Sequence, residues 1–496
     1  MSPSETIIIR GGLLPDIETR TVARKDVRIA DGIIVSIDDP GTGRSVPEPG
    51  ERVVNAANAL VVPGFVNTHT HSYGPLARQF GAGLQLEPWM MFAWSITTGR
   101  TDEEAYLSAL VQGLEALQTG TTTVLDHLGG DADLTGAAAR AYQELGIRAA
   151  VTPMISDIPL HETVGLAADA WPCELDAGMD LLSPAPAAEL LAQTRALHSQ
   201  WNGVDGRISV LVGPSAPQRC SAELLDGCAE LSEELDTRVH THLLESRAQA
   251  HDPAAHLAVL DRHGLVNERL IGAHGVWASP DELARLGAVG ASLVHNPQSN
   301  LQLGSGVAQV PQWRERGINV ALGTDGANCG GSLDMLSSMR LASLLHRVGT
   351  ADERRWESPW TALDMATRGG AQALAMDKTG RLELGWAADV AIFAMDGTAF
   401  AACEDPVSAL ILSATSSRAR HVMVAGRLVV EDGVATEVDE AEILERAGEA
   451  SRAILERSQY RIREVALAQR DILVRVARDA RPSRPIIDFD PAPGAE

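Results

Sequence analysis

The chain has 496 residues, of which 45% are hydrophobic, and this length allows one large folded core with a smaller domain beside it. Its net charge of −25 argues against a surface that binds nucleic acid. No apolar stretch approaches the roughly 18 residues that a membrane-spanning helix needs, so we expect neither nucleic acid nor membrane as a partner.

The cysteines predict a reducing compartment. Five of them are scattered along the chain without a CxxC pair, so neither a disulfide framework nor a thiolate zinc site is expected. The first residues, MSPSETIIIRGG, lack the basic region and the apolar segment of a signal peptide. We therefore expect a cytoplasmic protein.

Short strands at both ends of the chain predict a small β-domain assembled from two segments. Strand-like runs such as TIIIRGG and KDVRIADGIIVSID lie within residues 1–58, and GRLELGWAADVAIFAMD and RHVMVAGRLVVEDG lie within residues 379–437. Neither set can bury an apolar face alone, so we expect one β-sandwich. Residues 438–496 are charged, with helical periodicity, which predicts a helical tail made of a pair of surface helices before a Pro-rich end.

Residues 59–378 alternate between apolar strands and helix-like segments. The predicted strands are at 60–69, 121–127, 148–154, 207–214, 238–244, 270–275, 291–297 and 319–325. Eight strand–helix units predict a (β/α)8 TIM barrel, in which catalytic groups lie at the C-terminal ends of the strands. A doubly wound open sheet would need a Gly-rich phosphate loop that the sequence lacks.

Imidazoles and carboxylates collect where the predicted strands end. The first strand ends in His69 and His71, which are two residues apart and therefore project to the same face. His242 ends the fifth strand, His274 the sixth, and Asp325 follows the eighth. Side chains of these types at neighbouring strand ends indicate a metal site.

The segments PGFVNTHTH, HTHLLE, AHGVW, HNPQSNLQLGSG and GTDGANCGGSLDM resemble the amidohydrolase superfamily. Within it they are similar to the branch that holds adenosylhomocysteine/methylthioadenosine deaminases, guanine-type deaminases and s-triazine hydrolases. The resemblance covers about residues 5–435. It implies one divalent metal, Zn2+ or Fe2+, held by His69, His71, His242 and Asp325.

Many members of this superfamily hold two metals that are bridged by a carbamylated lysine of the barrel. The only lysines here, Lys25 and Lys378, lie outside the predicted barrel strands, so we expect a mononuclear site.

The resemblance also implies the catalytic roles. Asp325 would bind the metal and take a proton from the attacking water, whose pKa a bound metal lowers to about 7. Glu245, three residues after His242, would protonate a ring nitrogen of the substrate. His274 would stand beside the nucleophile and polarise it or stabilise the tetrahedral intermediate, with metal ligation as the alternative.

Substrate contacts are expected from the loop after the first strand and from the loop after the seventh. The candidates are Arg78, Gln85, Trp89, His295, Gln298 and Asn300. The similar nucleoside deaminases have a ribose-binding Glu where this chain has Thr98, and a His where it has Ser215. Both differences favour a free heterocycle over its nucleoside.

The predicted function is hydrolytic deamination of a small amino-substituted N-heterocycle of purine, pterin, pyrimidine or triazine type. The same site would also suit displacement of chloride or alkylamine from an s-triazine-like ring, or opening of a cyclic amide. An inactive structural relative is the remaining alternative, and the retained ligands and Glu245 argue against it. By analogy with the family, we expect a homo-oligomer, a dimer or larger.

Overall fold

The computed structural model describes residues 6–43, 46–129, 132–163, 184–349, 352–414 and 418–479. Cys173 and the Pro-rich end of the tail lie outside the described residues. The strands in the described chain are β1 (Ile7–Asp16), β2 (Thr21–Ala30), β3 (Ile33–Asp38), β4 (Arg52–Asn55), β5 (Ala59–Pro63), β6 (Phe65–Thr70), β7 (Thr121–Gly129), β8 (Arg148–Met154), β9 (Ile208–Val210), β10 (Val239–Leu243), β11 (Leu270–His274), β12 (Ser292–His295), β13 (Asn319–Leu322), β14 (Val390–Ala394), β15 (His421–Val424), β16 (Arg427–Glu431) and β17 (Val434–Ala435).

Strands β6 to β13 form the barrel. They make two four-stranded parallel sheets, β6-β7-β8-β9 and β10-β11-β12-β13. One seam between the sheets is closed by a parallel bridge between Val212 and Val239. At the other seam the Asp325 backbone N–H donates to the His69 carbonyl over 2.9 Å, and the Asn67 side-chain amide donates to Thr324 Oγ1 over 2.7 Å. Eight parallel strands joined in this way confirm the predicted barrel.

The predicted first barrel strand, at 60–69, is two strands. β5 pairs with β14 in the terminal sheet, whereas β6 pairs with β7 in the barrel. Gly64 separates them, and a Cβ at this position would come within 2.2 Å of the Thr122 side chain. The chain therefore passes from one sheet to the other at a point where there is room only for glycine.

The strands from both ends of the chain share one nine-stranded sheet. Its order is β17-β16-β15-β14-β5-β1-β2-β3, with β4 paired to β1. The antiparallel pairing of β5 with β14 is the junction between the two segments, and Val61 faces Ile392 there. The division of the chain into domains at residues 58, 378 and 437 remains a prediction.

Helices surround the barrel and also cover its mouth. In the described chain they are Leu86–Thr97, Asp102–Gln118, Ala132–Leu145, Leu160–Thr163, Ala187–Trp201, Ala222–Glu234, Arg247–Ala250, Leu257–Arg262, Pro280–Ala288, Pro297–Gln302, Val310–Glu315, Met335–Leu345, Pro359–Asp364, Gly370–Ala373, Pro406–Ser408 and Glu440–Asp479. Within the described residues, no helix combines the length and the apolar character needed to cross a membrane.

The tail is one helix, Glu440–Asp479, and the prediction of a pair of helices is wrong. No proline interrupts this segment, so nothing in its sequence forces a break. The helix packs against Leu86–Thr97, which we call the wall helix. Arg461 donates through Nε to the Ser95 carbonyl over 2.9 Å and through Nη2 to the Thr98 carbonyl over 3.0 Å. The tail helix therefore supports the last turn of the wall helix.

A buried ion pair joins the barrel to the terminal sheet. Arg148, at the start of β8, donates through Nε and Nη2 to the two carboxylate oxygens of Asp389 over 3.1 and 3.2 Å. The two side chains are 10% and 3% exposed. Replacing Arg148 by methionine should lower the free energy of unfolding by about 3–5 kcal/mol, because the Asp389 carboxylate would stay buried without its cation.

The measurement is urea unfolding of the wild-type chain and of two variants. Arg195→Met is the matched control, since it breaks an ion pair with Glu234 in which both side chains are about half exposed. Such a surface pair contributes about 0–1 kcal/mol. Equal effects of the two substitutions would contradict the prediction.

Candidate metal centre and active site

The ends of strands β6, β10 and β11 and the loop after β13 bring four imidazoles and one carboxylate together. His71 Nε2 lies 3.2 Å from Asp325 Oδ1 and 3.3 Å from His242 Nε2. His69 Nε2 lies 3.6 Å from the same Asp325 oxygen, and His274 Nε2 lies 3.7 Å from Asp325 Oδ2. Except for the partly exposed His242, these residues are buried. Proximity of this kind is what one metal ion requires of its ligands.

Backbone carbonyls orient two of these imidazoles. His71 Nδ1 donates to the His127 carbonyl over 2.6 Å, and His242 Nδ1 donates to the Ser215 carbonyl over 2.7 Å. With the proton on Nδ1, each ring presents the lone pair of its Nε2 to the centre of the cluster. Metal-ligating histidines are oriented by hydrogen bonds of this type.

The donor set fits a divalent cation. Among the described residues, His69 Nε2 and His274 Nε2 are buried atoms without a hydrogen-bond partner. Facing lone pairs on neighbouring imidazoles repel one another, and a cation between them removes that cost. Nitrogen and carboxylate oxygen are donors that Zn2+ accepts readily.

Two overlapping groups of side chains each place one ligand atom within 4.8 Å of the others. They are His69, His127 and His242, and His69, His274 and Asp325. Because both groups contain His69, they describe one pocket. His71 is in neither group, so the ligand set His69, His71, His242 and Asp325 remains a prediction.

Two further imidazoles in this cluster were not assigned from the sequence. His240 Nε2 and His69 Nδ1 are 2.8 Å apart, and the His127 ring lies 5.0 Å from the His240 ring. His240 is two residues before His242, so strand alternation already placed both on one face. His127 lies near the C-terminal end of β7, which the barrel arrangement places at the same mouth.

Glu245 lies beside the cluster. One carboxyl oxygen, Oε2, is 3.7 Å from His274 Nε2, and the other, Oε1, is buried without a partner. Burial, reinforced by the negative charges of Asp325 and Glu87, raises the pKa of Glu245 well above its ordinary value. A carboxyl group in this environment favours its protonated form and is suited to donate that proton.

Asp325 is in the opposite state. Burial alone would raise the pKa of its carboxyl, but the close approach of His71 and of the other surrounding imidazoles outweighs burial and lowers it. Burial lowers the pKa of His274, which favours the neutral ring. The site therefore combines a carboxyl group that favours its ionised form, an imidazole that favours its neutral form and a second carboxyl group that favours its protonated form.

The backbone is strained where these side chains emerge. His274 has φ of 75°, Asp325 has φ of 62°, and Leu244, next to Glu245, has φ of 45°. The left-handed region is costly for residues other than glycine, and such residues concentrate at functional sites. These left-handed conformations turn the chain sharply at the mouth of the barrel.

A cavity opens above this cluster. Four cluster residues and Glu245 form its floor: His71, His242, His274, Asp325 and Glu245. The rest of its lining consists of Tyr73, Leu86, Trp89, Met90, Ala93, Trp94, Met154, Ala216, Arg219, Gln249, Leu303 and Cys329. The wall helix contributes five of these residues, two of them tryptophans. Aromatic and apolar side chains on one wall and polar groups opposite suit a flat ring.

Of the six predicted substrate contacts, the structure brings Trp89 to the cavity. Its indole N–H donates to the Asn328 carbonyl over 3.3 Å, which fixes the ring in the wall. Arg78 is held elsewhere by an ion pair with Glu115 at 2.6 Å. Gln85 is exposed in front of the wall helix.

The other three candidates lie behind the cavity surface. His295 is buried against Trp313. Gln298 donates to Ser338 Oγ over 3.0 Å. Asn300 Oδ1 accepts from His274 Nδ1 over 2.9 Å, so it orients a catalytic candidate. These three, with Arg78 and Gln85, are not in the described cavity lining, so their role in substrate binding remains a prediction.

The mouth of the barrel brings together strained strand ends, a cluster of imidazoles and two carboxyl groups whose pKa values are shifted in opposite directions. These features define a metal-dependent hydrolase of the TIM-barrel class. The family model of the amidohydrolase family matches residues 60–429. The chain belongs to the amidohydrolase family.

Known proteins resemble the chain over most of its length. A 5-methylthioadenosine/S-adenosylhomocysteine deaminase of Syntrophomonas wolfei is 32% identical over 433 residues, which is 85% of this chain and 93% of the relative. An adenosine deaminase of Xanthomonas campestris with bound zinc superposes with a TM-score of 0.81 at 29% identity, covering 91% of this chain and 99% of the other.

An atrazine chlorohydrolase of Arthrobacter aurescens TC1, complexed with zinc, superposes with a TM-score of 0.78 at 25% identity over 90% of this chain and all of the other. The amidohydrolase family and the two deaminases support a hydrolase that acts on C–N bonds, and the site fits a divalent metal.

Proposed function

We propose that the protein is a zinc-dependent hydrolytic deaminase of an amino-substituted N-heterocycle. The observation that carries the proposal is the pair Glu245 and Asp325, whose environments push their pKa values in opposite directions within one site. Separated pKa values of this kind assign one carboxyl group as the proton donor and the other as the acceptor.

The zinc ion would be held by His69, His71, His242 and Asp325. When bound, it lowers the pKa of a water molecule to about 7, so that a nucleophile is present near neutral pH. Zinc in the two solved relatives supports this metal over iron. The free cysteines Cys220, Cys228, Cys329 and Cys403 are in keeping with a cytoplasmic location.

The residues of the chain divide the proton transfers between them. Asp325 accepts a proton from the attacking water, and Glu245 donates its proton to the ring nitrogen next to the attacked carbon. The carbon becomes tetrahedral. The proton on Asp325 then passes to the amino group, the C–N bond breaks and ammonia departs. The proton of the new hydroxyl returns to Glu245, and the ring is left as a lactam.

Three further residues prepare this reaction. Asn300 holds the His274 Nδ1 proton, so that the other ring nitrogen faces the reacting atoms. Trp89 and Trp94 on the wall helix hold the ring flat and exclude water from it.

A second candidate function is displacement of chloride or alkylamine from an s-triazine-like ring. The likeness to an atrazine chlorohydrolase favours it. Deamination is preferred because ammonia leaves well only after protonation, and this site has both a donor and an acceptor for that proton. A screen of amino- and chloro-heterocycles with the purified chain tests both, since ammonia release supports the first and chloride release the second.

Free heterocycles should be better substrates than their nucleosides. Thr98 replaces the ribose-binding Glu of similar enzymes, and its hydroxyl donates to the Trp94 carbonyl over 2.7 Å. The Ser215 carbonyl is engaged by His242. The measurement is kcat/KM for adenine and pterins against adenosine and its 5′-deoxy analogues. A preference for the nucleosides of tenfold, about 1.4 kcal/mol of transition-state binding, would contradict the prediction.

By analogy with the family, we also propose a homo-oligomer, a dimer or larger. The mass measured by light scattering tests this proposal.

A further inference from the structure

Arg219 is a buried cation in the wall of the cavity. It ends the short turn Pro217–Arg219 after β9, and it lines the same cavity as Glu245. The residue is only 8% exposed. The chemistry proposed above does not use it.

The guanidinium has weak partners within the protein. Nη1 donates to Ser215 Oγ over 3.4 Å, Nη2 faces the Met90 sulfur, and Nε is buried without a partner. The negative charges of Glu245 and Glu87 favour this cation from a distance, but among the described residues no carboxylate oxygen lies within 4.0 Å of it. Burying a charge without a close counter-charge costs stability. Because this costly group lies in the wall of a binding cavity, we expect a bound ligand to supply the hydrogen-bond acceptor that the protein does not.

The backbone holds this cation in position. The Arg219 N–H donates to the Ala216 carbonyl over 3.0 Å, and its own carbonyl accepts from Ile158 N–H over 3.2 Å. Met90, which touches the guanidinium, is on the wall helix, so the cation lies between the β9 turn and the apolar wall. A substrate ring that lies against the wall helix would therefore share one cavity with both Glu245 and Arg219.

The chemistry of the missing partner follows from the donor. A guanidinium is planar, always charged, and presents parallel N–H groups that match a planar oxygen acceptor. The apolar wall favours an acceptor that is part of a flat ring or attached to it. A sugar hydroxyl, which is neither planar nor anionic, is a poorer match.

We propose that Arg219 is a substrate-binding residue that recognises a planar oxygen acceptor, a ring carbonyl or a carboxylate, carried by the amino-substituted heterocycle. This inference rests on the proposed function, and it narrows the substrate to rings that carry both an amino group and such an oxygen.

The test uses the zinc-loaded full-length chain and two pairs of compounds. Guanine and 2-aminopurine differ in a ring carbonyl, and pterin-6-carboxylate and pterin differ in a carboxylate. For each compound, kcat/KM and the equilibrium Kd are measured with the wild type, Arg219→Met and Arg219→Lys. Arg207→Met is the matched control, because Arg207 Nε is also buried without a partner but lies before β9, outside the described cavity lining.

Arg219→Met should lower kcat/KM and binding by about 10- to 100-fold for the oxygen-bearing member of a pair, the usual effect of losing a hydrogen bond to a charged group. Binding of 2-aminopurine, which has no such oxygen, should not change. Pterin keeps a ring carbonyl of its own, so its binding should fall if Arg219 recognises a ring carbonyl and stay the same if Arg219 recognises the carboxylate. Arg219→Lys should recover part of the loss, since it keeps the charge without the planar fork. Selectivity lost in the purine pair identifies a ring carbonyl, and selectivity lost in the pterin pair identifies a carboxylate.

Zinc content and melting temperature separate a binding role from a structural one. Arg219→Met leaves no carboxylate unpaired, so both should stay at the wild-type level. Three results would overturn the inference. The first is an equal change in kcat/KM and Kd for both members of each pair, and the second is a large fall in melting temperature without lost selectivity. The third is failure of the wild type to bind any of the four compounds. If the compounds bind in a manner that depends on Arg219 but release no ammonia, the proposed function is contradicted and the binding role of Arg219 is not.

Discussion

Replacing Glu245 by glutamine is expected to lower kcat by roughly 10²-fold or more, the usual contribution of a positioned acid–base group. Glutamine has nearly the same shape, but it cannot release a proton to the ring nitrogen. The amide can still accept the proton of a neighbouring donor, so the fold and the zinc content should not change. The measurement is kcat for ammonia release, with zinc determined by elemental analysis of the same preparation.

Glu357→Gln is the matched control for this substitution. Glu357 is also a buried carboxyl whose pKa burial raises, but it pairs with Arg314 away from the cavity. This control should keep wild-type kcat, even if its stability falls. Near-normal turnover of Glu245→Gln would mean that the proton comes from another group, of which His274, 3.7 Å away, is the first to test.

Removing one imidazole of the cluster is expected to remove the metal and with it the activity. His69→Ala and His242→Ala should each hold far less than the about one zinc per chain of the wild type, because a site that loses one of four ligands loses most of its affinity. Loss of the ion should also lower the melting temperature, since a ligand that binds only the folded state stabilises it.

His263→Ala is the control for this experiment. His263 is on the surface side of the molecule, where its Nδ1 lies 2.7 Å from Asp226 Oδ1. This variant should retain its zinc and its melting temperature. Two tightly held ions per chain would contradict the mononuclear site.

The geometry supports a single ion. The candidate ligand groups of the described residues share His69 and so describe one pocket. Lys25 is on β2 of the terminal sheet, where it pairs with Asp39 over 2.7 Å, and Lys378 follows the last helix before β14. Neither is on a barrel strand, so a bridging carbamylated lysine is excluded here.

Much of the site was predictable because short-range geometry determines it. Alternation along a strand puts His69 and His71 on one face, and parallel barrel strands all end at the same rim. The sequence therefore placed His242, His274 and Asp325 at the mouth of the barrel before any tertiary contact was known. Their meeting in one cluster follows from the closure of the barrel.

The loops were predicted less well, because their side chains are positioned by distant parts of the chain. Arg78 remains a predicted substrate contact, but it forms an ion pair with Glu115, on the helix Asp102–Gln118, and is not in the described cavity lining. Arg219 gave no signal in the sequence, and only the packing of its turn against Met90 places it in the cavity wall. Loop side chains follow their partners rather than any local period.

The sequence by itself determined the eight barrel strands, the imidazoles and carboxylates at their ends, and the lack of a barrel lysine, since each depends on residue type and local spacing. The tertiary structure alone decided which groups line the cavity and how the tail packs. Arg461 contacts the Ser95 carbonyl across 366 positions of the chain. Contacts over such separations exist only after the chain has folded, so no local pattern encodes them.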